Sequence, residues 1–480
     1  MNMKKINITS IALSVLMLAF FTSCEKWIDP ALNEDPNNPV DVEMELILPS
    51  IIVNMAYDQG GNDAVRTLAI WTQQFDGVAR QSFAEATFVY TPADCNNLWN
   101  ATYPNMTDLN AVIEKASETN EDGVEVSPYT RGMAKVLKAE HLAFATNLWG
   151  DIPYSEALQG DGNLNPKLDS QQDIYAAINT LLDEAITDLT LEESIVPIPS
   201  GGDMIFGGDK DAWLVTAYAL KARYSLILSE VDGNAYSDAI TYAQMALDNM
   251  GGTAFESNNG FVANVFVDSP SGANPLYQFM DQRGDIVMAS TFMEYLSGNN
   301  DPRIAVYGDG SGGGTGSVPT SQTEAGVDLP GSHVAAIDAP IRFMNLSELH
   351  FILAEAKFSS DAAAADAHAQ DGVYQSVVEA GIDIDAVDDG DNPLYDDFKA
   401  YVDAGFDTEE EIMTEKWVAN YGTVQVFNDW RRTGYPALTV PSEATNSEFP
   451  RRYPYSQEEL TYNSNVSSVS IFSRLWWDAE

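Results

Sequence analysis

Cysteine is nearly absent, with only Cys24 and Cys95 in 480 residues. That excludes a disulfide framework and leaves the fold to rest on its hydrophobic core. Histidine is scarce too: His141, His333, His350 and His368 are the whole set, and none forms an HExxH-type metal pair. There is no CxxC. There is also no GxSxG nucleophile elbow, because Asp309 stands where the first glycine of the nearest window should be. Gly308 to Gly313 fits GxGxxG, but it lies in a glycine-rich loop with no apolar helix behind it. Gly202 to Gly208 likewise reads as a loop rather than a phosphate cradle. Nothing in these patterns calls for a catalytic residue, a metal or a cofactor. Basic residues are few: 24 Lys and Arg stand against 72 Asp and Glu, a formal net charge of −48. Nucleic-acid binding needs cations on phosphates, so no nucleic-acid partner is expected. The same charge disfavours sulfated or uronic polymers. The acids are so numerous that a carboxylate pair at glycosidase spacing is easy to find by chance, and it carries no argument for hydrolysis. No apolar run reaches the roughly 20 residues that a membrane span takes.

What is present begins at the N-terminus. Lys4 and Lys5 precede an apolar run from Ile11 to Phe21, followed by Thr22, Ser23 and Cys24. A basic start, a short apolar core and a small residue before cysteine predict a bacterial lipoprotein signal over 1–23, with lipid on Cys24. An ordinary cleaved signal with an incidental Cys24 is the alternative. Lipidation would leave Cys95 as a lone, packed thiol. Residues 24–45 read as a tether, because Asp29 to Pro39 (DPALNEDPNNP) carries prolines that forbid regular helix. The remainder, 46–480, reads as a single domain.

That domain is predicted to be all-α. Arg131 to Leu148 places Met133, Val136, Leu137, Phe144 and Leu148 on one helical face and stops at Gly150 and Pro153. Gln171 to Leu191 repeats the pattern. Asp211 is the expected cap of a helix over Ala212 to Leu228, and Tyr236 to Met250 returns antiparallel to it with tetratricopeptide-like spacing. Asn345–Phe358 and Ala362–Ala380 suggest another pair. Long irregular zones over 251–285 and 307–340 and a Pro-, Asn- and Ser-rich stretch from Pro436 separate or follow the helices. The closing Leu475, Trp476 and Trp477 predict a docked terminus. Asp385 to Asp396 partly fits a calcium loop, but Val387 occupies a liganding place, and a solvated acidic turn is the preferred reading.

Aromatic residues are the better functional signal. A sugar ring stacks its apolar face on an aromatic and its hydroxyls take polar side chains. Trp71, Phe75, Arg80, Gln81, Phe83 and Tyr90 supply that mixture, as do Tyr277, Gln278, Phe279, Asp281 and Arg283. For any one of these rings, core packing is the competing role.

Several stretches together carry a family likeness. They are NEDPNNPVDV at Asn33–Val42, LWGDIPYSEAL at Leu148–Leu158 and FGGDKDAWLVTAYALKARYSLIL at Phe206–Leu228. Further along come NPLYQFMDQR at Asn274–Arg283, NDPRI at Asn300–Ile304 and ELHFILAEA at Glu348–Ala356. The most specific is EKWVANYGTVQVFNDWRRTGYPAL at Glu415–Leu438, followed by PRRYPYSQEELTYN at Pro450–Asn463 and the terminal Trp476-Trp477-Asp478. With the signal, these make the chain resemble the SusD/RagB family of outer-membrane lipoproteins. Departures are Val426-Phe427, where the family tends to have Ala-Trp or Ala-Tyr, and an individual loop over 308–330. The resemblance implies a SusD-like fold: a scaffold of four tetratricopeptide-like helix pairs carrying long ligand-binding loops. It implies a non-enzymatic, surface-exposed protein, lipid-anchored to the outer membrane, that captures oligosaccharide and passes it to a SusC-like TonB-dependent transporter. A protein-interaction lipoprotein without its own glycan site is the competing class. The family's loop placement adds Asn96 and Trp99 to the candidate ligand residues Trp71, Arg80, Gln81, Phe83, Tyr90, Tyr277, Gln278, Asp281 and Arg283. The acidic surface points to a neutral glycan such as a laminarin-like β-glucan. Trp430, Arg431 and Arg432 are expected to serve the scaffold, the arginines through ion pairs.

Overall fold

A computed structural model describes residues 42–383 and 393–479. The signal, Cys24, most of the tether and most of the Asp385–Asp396 loop lie outside the described residues. The chain starts with α1 (Met44–Gln59), α2 (Asp63–Trp71), β1 (Phe75–Gly77), α3 (Arg80–Ala86) and α4 (Asn96–Ala116). The long helices α5 (Pro128–Trp149), α6 (Gln171–Leu189), α7 (Lys210–Ile227) and α8 (Ala235–Met250) follow. A broken region then supplies α9 (Ala254–Ser257), β2 (Gly260–Ala263), α10 (Pro275–Gln282), β3 (Ile286–Met288), α11 (Ser290–Gly298), α12 (Ile304–Tyr307), α13 (Ser332–Ala335) and β4 (Ile341–Asn345). The last helices are α14 (Leu346–Lys357), α15 (Ala362–Glu379), α16 (Pro393–Asp403), α17 (Glu409–Ala419), α18 (Gln425–Thr433) and α19 (Gln457–Tyr462).

Four helix pairs make the scaffold: α1 with α4, α5 with α6, α7 with α8, and α14 with α15. Neighbouring pairs touch through α4–α5, α6–α7 and α8–α14, which gives the tetratricopeptide-like helical fold. Local sequence explains several of the long helices. In α6 the Ser170 side chain accepts a hydrogen bond from the Asp173 amide, and Ile174, Ile178, Leu182, Ala185 and Leu189 line one buried face. Helix α5 starts with Pro128 in its first turn and ends at Gly150, whose φ of 77° suits glycine. The buried face of α8 is Ala235, Ala239, Ala243 and Ala246, small enough for α7 to approach closely. The cap of α7 differs from expectation. Asp209, not Asp211, accepts from the Asp211 and Ala212 amides at 3.0 and 3.2 Å. Asp209 alone is extended at the helix start, with its oxygen over the first free amides.

Two small antiparallel sheets tie distant segments. In one, Phe75 pairs with Met288 and Gly77 with Ile286. In the other, β2 pairs with β4. Gly77 cannot be larger, because a Cβ there would lie 1.9 Å from the Ser82 carbonyl oxygen. The irregular zones are thus partly ordered into short helices and strands rather than left as bare loops.

The C-terminal signature stretch is scaffold. Arg432 and Lys416 are buried and share Glu355 and Asp429, with Lys416 Nζ 3.2 Å from Glu355 and 3.1 Å from Asp429. Arg431 departs from the expected ion pair. Its guanidinium donates to the carbonyls of Arg451 and Asn147 at 2.7 and 2.9 Å and lies over the rings of Phe427 and Trp477. Carbonyl oxygens and ring faces, rather than a carboxylate, accommodate this charge. Trp477 is fully buried and donates to Asn147 Oδ1 at 3.0 Å, so the terminus docks as expected.

Candidate functional site

The β1–β3 pairing brings together the two segments that the aromatic reading singled out. β1 runs on into α3, while α10 precedes β3, so residues 80–97 and 275–283 face one another across the small sheet. The backbone of Val78 donates to the Asp285 carbonyl at 2.8 Å, and Arg80 forms an ion pair with the buried Asp285 carboxylate. Beside this junction, the end of α1 and the start of α2 complete a cleft of about 800 Å³.

Its wall from α1 and α2 carries Tyr57, Asn62, Asp63 and Arg66; the wall from α3, the following loop and α4 carries Gln81, Glu85, Tyr90, Asp94 and Asn97; α10 and the next residue supply Gln278, Phe279, Gln282 and Arg283. Tyr57 is 52% exposed and presents an accessible ring. Burial, then Asp63 and Asp58, push its hydroxyl pKa up, so the hydroxyl stays a donor at neutral pH. Tyr90, at the back, is likewise pushed up, chiefly by burial. Arg66 is buried and clamped by Glu85 through two hydrogen bonds of 3.1 and 2.8 Å, with Asn62 Oδ1 at 2.6 Å. It lies over the Phe279 ring at 4.5 Å from the centroid, and Arg283 lies over the same ring at 5.7 Å. Arg283 donates to Gln81 Oε1 at 3.0 Å, which holds one wall to the other. The cleft is therefore lined with side-chain amides, hydroxyls and charged groups of both signs around one exposed ring. Such a lining suits a polyhydroxyl ligand.

Among the sequence candidates, Gln81, Tyr90, Gln278 and Arg283 line this cleft. Trp71 and Trp99 do not, because both are core residues, at 0% and 3% exposure. Trp71 packs against Tyr90, Phe427 and Tyr453 with centroids 5.5–5.6 Å away, and its indole donates to the Glu85 carbonyl at 3.1 Å. It supports Tyr90 and Glu85 from behind. Trp99 stacks edge-on against Trp149 at 5.0 Å. Phe75 is also fully buried. Asn96 is engaged elsewhere, its Oδ1 accepting from the Gln457 amide at 2.8 Å, which docks the start of α19. Arg80 is held by Asp285 outside the lining, and Phe83, Tyr277 and Asp281 also lie outside it. Sequence reasoning missed Tyr57, Asn62, Arg66 and Asn97. Tyr57 looks like one more residue of a helix, and only its 52% exposure marks it out.

Comparison with known proteins completes this picture. A family model described as "Starch-binding associating with outer membrane" matches residues 36–456. Comparison with curated proteins finds no match. Among solved structures, the chain is similar to a SusD/RagB family protein from Bacteroides thetaiotaomicron, with 23% identity, a TM-score of 0.73, and coverage of 91% of this chain and 99% of that one. It is similar to a chitin-binding protein at 22% identity and a TM-score of 0.71, over 91% and 99% of the two chains. A chitin-binding SusD homologue from Flavobacterium johnsoniae matches at 20% identity and a TM-score of 0.68, over 91% and 97%. At these identities the structures speak for the fold, while the family model spans most of the sequence. The chain belongs to the SusD-like family.

Proposed function

We propose that this protein is a non-enzymatic glycan-binding lipoprotein of the cell surface. It takes a neutral oligosaccharide into the cleft between α1–α2, α3–α4 and α10 and hands it to a SusC-like TonB-dependent transporter. The carrying observation is the cleft itself: about 800 Å³, amide-rich, with the exposed Tyr57 ring at its mouth. In the lining Asp63, Glu85 and Asp94 outnumber Arg66 and Arg283, and on a chain of net charge −48 this balance opposes an anionic polymer. Two structural relatives described as chitin-binding and a family described as starch-binding support a neutral glycan. A laminarin-like β-glucan fits the same chemistry. No helix among the described residues is long and apolar enough to cross a membrane, and the anchor in this reading is lipid on Cys24. Cys24→Ala should move the protein out of the membrane fraction.

Isothermal titration with laminari-, chito- and malto-oligosaccharides, alongside alginate and carrageenan fragments, tests the binding. One or more neutral series should bind at a single site, and Gln278→Ala or Arg283→Ala should weaken it. Binding of the anionic fragments alone refutes the neutral reading. Binding of none favours the protein-interaction class. Release of shorter fragments from any polymer would mark a hydrolase.

A further inference from the structure

A cluster of chemistry-bearing side chains lies on the α14–α15 hairpin and shares no residue with the cleft. His350 sits on α14, and His368 and Asp371 sit one turn apart on the facing side of α15. One ring nitrogen from each histidine and one carboxylate oxygen all lie within 4.8 Å of one another. His350 Nδ1 is 3.8 Å from Asp371 Oδ2, too far for a hydrogen bond. Nδ1 of His350 and Nδ1 of His368 are both buried without a hydrogen-bond partner. Buried polar atoms are normally satisfied, so two histidines that each leave a buried nitrogen unpaired, in a cluster with a carboxylate, call for a partner. Two imidazoles and a carboxylate are the donor set of a borderline divalent ion, not of calcium or magnesium, which prefer all-oxygen cages. Burial pushes both imidazoles toward the neutral form, which alone has a lone pair to give.

We propose that His350, His368 and Asp371 form a binding site for one divalent metal ion of the zinc class, which staples α14 to α15. Tetrahedral zinc holds its ligand atoms about 3.4 Å apart, so a trio spread over as much as 4.8 Å has to close by up to about 1.4 Å. Asp371, whose side chain is 62% exposed, has the rotamer freedom to do so. Three protein ligands leave the fourth position to water. Lys357, the last residue of α14, competes with the metal. Its Nζ lies 3.1 Å from His368 Nε2 and must turn outward when His368 binds the metal through Nδ1 and carries its proton on Nε2.

Equilibrium dialysis of the chelator-stripped full-length protein against Zn²⁺ tests the proposal, with Co²⁺ absorbance as the geometric readout. One Zn²⁺ per chain should bind, and Co²⁺ should give the visible bands of a four-coordinate site. Asp371→Asn and His368→Gln should each weaken zinc by about tenfold or more, while Lys357→Met should tighten it. Excess Ca²⁺ should not displace the bound ion. Asp371 is exposed, so Asp371→Asn remains a fair test even if His368→Gln fails to fold. Unchanged zinc affinity in Asp371→Asn, or displacement of the ion by Ca²⁺, overturns the assignment, since either would mean scattered binding to the acidic surface.

Discussion

Replacing Tyr57 and Trp71 separately by alanine should divide affinity from stability. Both are aromatic, both lie near the cleft, and composition alone cannot tell them apart. Trp71 has no exposed surface, meets three aromatic rings at 5.5–5.6 Å and spends its indole N–H on the Glu85 carbonyl. Truncating a buried tryptophan costs about 3–5 kcal/mol, and the ring pairs and the stranded carbonyl place this site toward the upper end. Tyr57 leaves 52% of its surface in solvent, so its loss should cost the fold less than about 1 kcal/mol. If its ring stacks on the ligand, removal should cost about 2 kcal/mol of binding, roughly 30-fold in Kd. Urea unfolding followed by tryptophan fluorescence gives the first quantity, and calorimetric titration with the best-binding neutral oligosaccharide gives the second. Tyr57→Ala should leave the urea midpoint in place and weaken binding. Trp71→Ala should lower the midpoint sharply. A Trp71→Ala protein of unchanged midpoint that no longer binds would refute this assignment and return Trp71 to the ligand.

Three further outcomes follow from the same structure. Asp58 beside the cleft has its pKa raised to about 6 by burial and then by Asp63. The native state therefore keeps a proton that the unfolded chain has released, so Asp58 destabilises the fold progressively as pH rises from about 4 through 6. Asp58→Asn should be neutral in urea unfolding at pH 4 and stabilising by about 2–3 kcal/mol at pH 7.5. Glu355→Gln should cost about 3–5 kcal/mol in the same assay, because Arg432 and Lys416 stay buried with only Asp429 between them. Cys95 is fully buried, with its thiol pKa pushed up to about 12, first by burial. In the Cys24→Ala background a thiol reagent should react at once in urea and hardly at all with the native protein.

The helices were legible in the sequence because their signals are local. The 3.6-residue stripe of α6 lies within the one stretch from Gln171, and α5 stops at a glycine as its sequence suggests. The cap of α7 was misplaced by two residues, since Asp209 and Asp211 are equivalent as letters and differ only in backbone angle. The candidate site was half legible. The mixed aromatic and polar runs near 81–90 and 278–283 do border the cleft, yet composition cannot show which ring faces inward. Trp71 and Trp99 therefore resembled a binding platform and proved to be core. The metal cluster gave no signal at all. His350 and His368 sit on different helices, and only the antiparallel packing of α14 on α15 sets them side by side.

By itself, then, the sequence determined the helical scaffold, the family and an acidic chain ill suited to anionic partners. Those properties depend on periodicity, on recurring motifs and on summed charge, all of which survive without coordinates. Only the tertiary structure decided which residues share one cleft. The pairing of Phe75 with Met288 spans more than two hundred residues and closes the cleft. Burial, which no local pattern encodes, then separates the tyrosine at its mouth from the tryptophan that supports its back wall.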